Sequence, residues 1–275
     1  MMPAFLIYSL FFIYPFFRTF YYSFFDWSGI GEATFIGFQN YLLLLNDQLF
    51  LSGLGRVTVW ALLAILIKVG LALILANILR QPIVGSKIFT SAFFIPVIIS
   101  TAAISVMFTL IYDLDVGVLN IFLSSIGLES WTKSWLGNEQ TAFYAVIAAP
   151  IYHTIGYFFI ILLAAMQNIS GEIYEAAKID GANAWVTFTK VTIPQIWPIL
   201  QICIILAITG AMKSFDYVFV MTKGGPANST QVPATYMFET IFEGMRYGYG
   251  TAIAFAIFMF SFFVTIVFRK LTSSK

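Results

Sequence analysis

The chain has 275 residues, of which 60% are hydrophobic and 18% aromatic, only 10% are charged, and the formal net charge is +1. Soluble domains carry about 25% charged residues, so this composition excludes a soluble globular enzyme and a disordered chain, and it lacks the basic excess of a nucleic-acid binder. Cys203 and His153 are the only residues of their types, which excludes a disulfide scaffold and argues against a metal centre built by this chain alone. A lipid bilayer is the solvent that suits it. A spanning helix needs roughly 20 apolar residues, and six stretches qualify, so an all-α membrane protein of one domain is expected.

The first stretch, 3–25, has no basic leader, is too long for a secretory signal and lacks a small-residue cleavage site. It reads as a true span. The chain starts almost inside it, so a short leading tail is expected to be missing. Arg18 is expected to snorkel toward the interface. The second stretch, 57–79, carries Lys68 at its middle, where an ionisable group is costly. Either it bonds another helix inside the bundle or it lines a solute path. The third, 88–112, is uncharged, and Pro96 marks a bend.

The fourth, 141–166, holds a polar island containing His153, Thr154 and Tyr157. His153 and Tyr157 are four apart and face one way, toward a helix neighbour or a solute. The fifth, 196–222, has Gly210 as a second bend site. Near its end Lys213 and Asp216, three apart, share a helix face and can pair. They form a local ion pair or, with Ser214 and Tyr217, a site for a polar solute. The sixth, 251–268, follows Gly244-x-x-x-Gly248, a packing spacing weakened by Arg246.

Basic residues near span ends set orientation. If six helices alternate, Arg80, Lys87, Lys178, Lys190, Arg269, Lys270 and Lys275 fall on one face. Arg56, Lys133, Lys223 and Arg246 fall on the other. The first face is expected to be cytoplasmic, with both termini inside.

The fourth loop, 167–195, is the most informative segment. Ser170 can cap a helix whose first turn holds Glu172, where an acid suits the helix dipole. Gly181 fits the left-handed position that ends a helix. Asn183 can cap a second short helix, and Pro194 opens the next span. A helix, a glycine elbow and a helix should lie along the membrane surface. That shape fits a knob docked in a partner protein, and equally an amphipathic helix lying on lipid.

Glu175-Ala176-Ala177, three residues, Gly181, nine residues, then Val191-x-Ile193-Pro194 resembles the EAA signature of ATP-binding cassette (ABC) importer permeases. That family usually has Ile and Leu where Val191 and Ile193 stand. Thr222-Lys223-Gly224-Gly225-Pro226-Ala227 resembles a stretch of its carbohydrate-type members, which usually have glycine at Lys223. Phe25-Asp26-Trp27 and Gly37-Phe38-Gln39-Asn40-Tyr41 resemble their first outer loop. The resemblance runs nearly end to end. It favours the first permease of a sugar heterodimer, similar to the larger maltose-permease or glycerol-3-phosphate permease subunit, without the extra leading helices and large outer domain of the former.

The resemblance implies a type I importer permease fold in a bacterial or archaeal cytoplasmic membrane. Glu175, Ala176, Ala177, Asp180, Gly181, Ala182 and Pro194 would couple to an ATPase. His153, Thr154, Tyr157, Lys213, Ser214, Asp216 and Tyr217 would line the solute path. It implies a second homologous permease, two ABC ATPase subunits, an extracytoplasmic solute-binding protein, a di- or oligosaccharide or polyol substrate, surrounding lipid and no nucleic acid. The chain has no G-x-x-x-x-G-K-[ST] loop, so it should be non-catalytic and hold no cofactor, with ATP and Mg bound by the partner ATPases. An ion-gradient transporter would show paired broken helices and internal repeats, and neither is legible. A non-translocating scaffold subunit is the other alternative.

Overall fold

The computed structural model describes residues 2–81 and 85–272, with Lys87 described by its backbone alone; the Lys87 side chain and Lys275 lie outside it. Among the described residues, five helices are long and apolar enough to cross a membrane, six if one bent pair is a single span. The first, α1 (Met2–Tyr22), contains a π-helical turn at Ser9–Ile13 immediately ahead of Tyr14-Pro15. A short antiparallel hairpin follows, β1 (Phe25–Asp26) against β2 (Thr34–Phe35), the one departure from an all-helical chain among the described residues. Asn40, in α2 (Gln39–Leu44), holds it by donating from Nδ2 to the carbonyls of Ser23 and Phe25 at 2.9 and 3.0 Å.

The second span is α3 (Gln48–Leu79) and starts nine residues ahead of the expected 57. The hydropathy is interrupted by Arg56, but Asp47 sets the true start, accepting from the N–H groups of Leu49 and Phe50 at 3.0 and 3.2 Å. The third span is not one helix. It consists of α4 (Ser86–Phe94), a 3₁₀ turn at Ile95–Ile98 containing Pro96, and α5 (Thr101–Ile111), with a 100° bend between the two limbs. Proline at 96 removes a backbone donor that would bond back into α4, and the chain leaves helix three residues later, at Ile99 and Ser100, so the expected bend becomes a break. A loop helix α6 (Val118–Ser125) leads to α7 (Glu139–Gln167), capped by Asn138 through Gln140 N–H at 2.8 Å.

Beyond α8 (Gly171–Ile179) comes α9 (Ala184–Met212). The expected short second helix of the loop is therefore continuous with the fifth span. A π turn at Thr187–Thr192 precedes Pro194, and Ile193 N–H reaches Phe188 carbonyl, five residues back. That wider turn lets the chain pass a proline without ending the helix.

The fifth span also ends ten residues ahead of the expected 222. It passes straight through Gly210 and breaks after Met212, and α10 (Phe215–Met221) is a separate helix. Lys213 and Asp216 thus stand on either side of a break, and the helical face they were expected to share is not formed. After α11 (Pro233–Phe238), α12 (Tyr247–Thr272) closes the fold. Gly244 and Gly248 are not a helical packing pair, because Gly244 ends the π turn at Glu239–Glu243. A Cβ on Gly248 would sit 1.9 Å from the Phe25 carbonyl oxygen, so this glycine seats the hairpin instead.

The core lies where α3, α5, α7 and α9 meet, around Val57, Ala72, Ile104, Phe159, Leu162, Ile196 and Ala207. Contacts sort the loops into two faces. On one, the Arg80 guanidinium stacks on the Tyr174 ring at 4.0 Å, and Gln201 Nε2 donates to the Thr272 carbonyl at 3.0 Å. On the other, Tyr236 and Tyr249 hydroxyls both donate to Asp47 Oδ2 at 2.6 Å. Arg56 donates to the Gln231 carbonyl there at 2.9 Å.

Candidate functional site

Two regions carry the residues singled out in the sequence. The first is the loop knob. Ser170 occupies the N-cap position of α8, but its side chain makes no capping bond. The C-terminal end is fully built. Gly181 has φ +78°, its N–H donates to the Lys178 carbonyl at 3.1 Å, and Ala182 N–H donates to the Ala177 carbonyl at 2.9 Å. That double closure is a Schellman motif. Asn183 then caps α9 through Val186 N–H at 2.9 Å.

Ala177 is buried and Ala182 half-buried, while Glu175, Ala176, Asp180, Gly181 and Pro194 are exposed. The elbow presents two large apolar side chains that the sequence reading did not single out: Ile179 is 85% exposed and Trp185 71% exposed. Nothing in their local pattern marks them, since apolar residues in a mainly apolar chain carry no contrast. A cleft of about 420 Å³ lies beside the knob, between Arg80, Tyr174, Glu175, Lys178, Ala184 and Thr187.

The second region is the set of polar groups at membrane depth. His153, on α7, is 5% exposed. Its Nδ1 lies 2.6 Å from the Tyr217 hydroxyl and its Nε2 lies 3.0 Å from the Ile99 carbonyl. Thr154 Oγ1 donates back to the Pro150 carbonyl at 2.7 Å, and buried Ser214 Oγ donates to the Ala211 carbonyl at 2.7 Å. Tyr157, Lys213 and Asp216 are exposed. The structure therefore joins His153 and Tyr217 directly, ties Thr154 and Ser214 to their own backbones, and leaves the other three open.

Lys68 is 7% exposed and faces the bundle interior, as expected for a buried ammonium. Its partner is an aromatic face, with Nζ 4.6 Å from the Phe158 ring centroid. Such a contact is worth up to about 2 kcal/mol when desolvated. Arg18 curls onto Tyr22 and Tyr14 of its own helix.

The turn after α10 is tied by side-chain hydrogen bonds. Thr222 and Thr230 hydroxyls bond at 2.7 Å, and Thr230 also donates to the Gly225 carbonyl at 2.8 Å. Gly224 has φ +85°, and a Cβ there would sit 1.9 Å from Gln231 Oε1. Lys223 has φ +49°, a left-handed conformation that favours glycine. That accounts for the glycine usual at this position in the resembling sequences.

Residues 68–274 match the family of binding-protein-dependent transport system inner membrane components. The chain belongs to that family. It is a multi-pass transport subunit of an ABC importer. The multiple sugar-binding transport system permease protein of Streptococcus mutans is 31% identical over 264 residues, covering 96% of this chain and 90% of that protein. The lactose transport system permease protein of Rhizobium radiobacter is 34% identical over 259 residues, covering 93% and 86%. A chain of a bacterial ABC transporter involved in the import of the acidic polysaccharide alginate superposes with a TM-score of 0.87 at 21% identity, covering 99% of this chain and 94% of that one. The type I importer permease fold expected from the EAA-like loop is thus found.

Proposed function

We propose that this permease moves a di- or oligosaccharide, or a related polyol, across a bacterial or archaeal cytoplasmic membrane by alternating access. It does so beside a second, similar permease. The sugar-transport names of the relatives in Streptococcus mutans and Rhizobium radiobacter support the substrate class. Two ABC ATPase subunits bind ATP and Mg and supply the energy, and this chain catalyses no reaction. An extracytoplasmic binding protein delivers the solute to the face that holds Asp47 and Gly224–Thr230. The loop knob, both termini and Arg80 face the cytoplasm.

The single observation that carries the coupling role is the knob. A Schellman elbow at Gly181 holds Ile179 and Trp185 out into solvent. Two large exposed apolar side chains beside a stiff turn suit a partner's cleft. Glu175, Ala176, Ala177, Asp180, Ala182 and Pro194 shape that contact. Along the path, Tyr157, Lys213 and Asp216 are the groups open to solute, with Thr154 and Ser214 behind them.

The test is uptake of labelled di- and oligosaccharides by proteoliposomes holding the whole complex and its binding protein. Accumulation that needs internal-face ATP is expected. Accumulation driven by an ion gradient without ATP would overturn the reading.

A further inference from the structure

Two spans of this chain are interrupted, and one imidazole reaches both interruptions. At the first, Ile99 and Ser100 are extended, each with ψ 146°. The Ile99 carbonyl therefore has no helical partner in an apolar setting, where an unpaired backbone group is costly. His153 Nε2 lies 3.0 Å from it. A carbonyl only accepts, so Nε2 carries the hydrogen. The neutral ring then offers its Nδ1 lone pair, and the Tyr217 hydroxyl at 2.6 Å donates to it. Tyr217 sits on α10, just beyond the second interruption.

The result is a bridge that runs from the Ile99 carbonyl, at the 100° bend, through His153 to Tyr217 on α10. Both ring nitrogens of His153 are used within the chain.

We infer that His153 and Tyr217 are positioning residues that clamp the break of the third span to α10, so that the two interrupted spans move as one body, and that neither is a ligand of the solute. The inference rests on the proposed transport by alternating access for its consequence, and on hydrogen-bond geometry for the clamp itself.

The test uses the whole transporter in lipid nanodiscs, on a Cys203→Ser background. Spin labels are placed at the exposed positions Phe89 on α4 and Val220 on α10, and the distance distribution is read by pulsed electron resonance. Tyr217→Phe removes one oxygen. His153→Gln keeps an N–H donor for the Ile99 carbonyl, and His153→Ala keeps nothing. A distribution at least twofold wider is expected for Tyr217→Phe, wider still for His153→Ala than for His153→Gln. The Tyr217→Phe, His153→Gln double variant should be no wider than the worse single variant. Uptake rate should fall while the KM for sugar stays within twofold. An unchanged width with KM raised tenfold would make the pair solute ligands and overturn the clamp. Unchanged width and unchanged uptake would overturn it too. A wild-type complex that moves no sugar would sink the transport reading, and the label distances would still decide the clamp.

Discussion

Asp47 shows how much one side chain does at the edge of the membrane. It caps α3 and accepts two tyrosine hydroxyls from α11 and α12. Burial alone would raise its pKa, but the hydroxyls of Tyr236 and Tyr249 and the N–H groups of Phe50 and Leu49 outweigh burial and hold it below the usual carboxylate value. A depressed folded-state pKa contributes stability that is fully present above the unfolded value of about 3.9 and is lost as pH falls through the folded one. The wild-type complex should lose part of its thermal stability below about pH 4, and Asp47→Ala should flatten that dependence. At neutral pH the same variant should lose at least the cap, about 1 kcal/mol, in detergent unfolding. Tyr236, pushed up to about 12 by burial and by its bond to Asp47, stays a donor throughout.

At Lys223 the strain runs the other way. Lys223→Gly should raise the unfolding midpoint, since a left-handed non-glycine residue costs about 1–2 kcal/mol. Asp216 is open at the start of α10. Asp216→Ala is expected to slow uptake severalfold with normal assembly, measured as transport per complex. Unchanged rate and affinity would return it to a packing role.

Among the elements, the knob and the broken third span teach different lessons about what a sequence exposes. The elbow was legible because Gly181 follows a polar, helix-like run at the position where a left-handed residue ends a helix. Gly181→Leu should cost about 1–2 kcal/mol locally and uncouple ATP hydrolysis from uptake while the spans stay folded. Normal uptake in that variant would contradict the coupling role. The breaks were harder to read. Pro96 announced a bend, but the apolar run around it gave no sign that Ile99 and Ser100 would extend. The break after Met212 has neither glycine nor proline at it, and helical spacing wrongly placed Lys213 and Asp216 on one face. Lys68 is buried with the Phe158 ring as its partner, a pairing the sequence does not reveal because an aromatic face leaves no mark in a chain with 30 Phe. Gly156 was not singled out either. A Cβ there would lie 1.9 Å from the Phe93 carbonyl oxygen, so α4 and α7 meet backbone to backbone. Gly156→Ala should destabilise by about 1–3 kcal/mol through overpacking, read as a lowered unfolding midpoint.

Across the whole molecule, the proposed function makes this chain one wall of an importer whose energy comes from partner ATPases. Sequence similarity carried the family, and the fold carried the sidedness of the loops, since Arg80, α8 and the end of α12 gather on one face. The partners are written only in exposed surface, which is why composition could not name them. The most direct measurement is purification of the tagged chain from its native membranes in mild detergent, with co-purifying proteins identified by mass spectrometry. A P-loop ATPase and a second six-span permease are expected, and replacing Ile179 and Trp185 by Asp should remove the ATPase while the second permease stays bound. Recovery of the intact chain without either partner, under conditions that keep other membrane complexes together, would contradict the account.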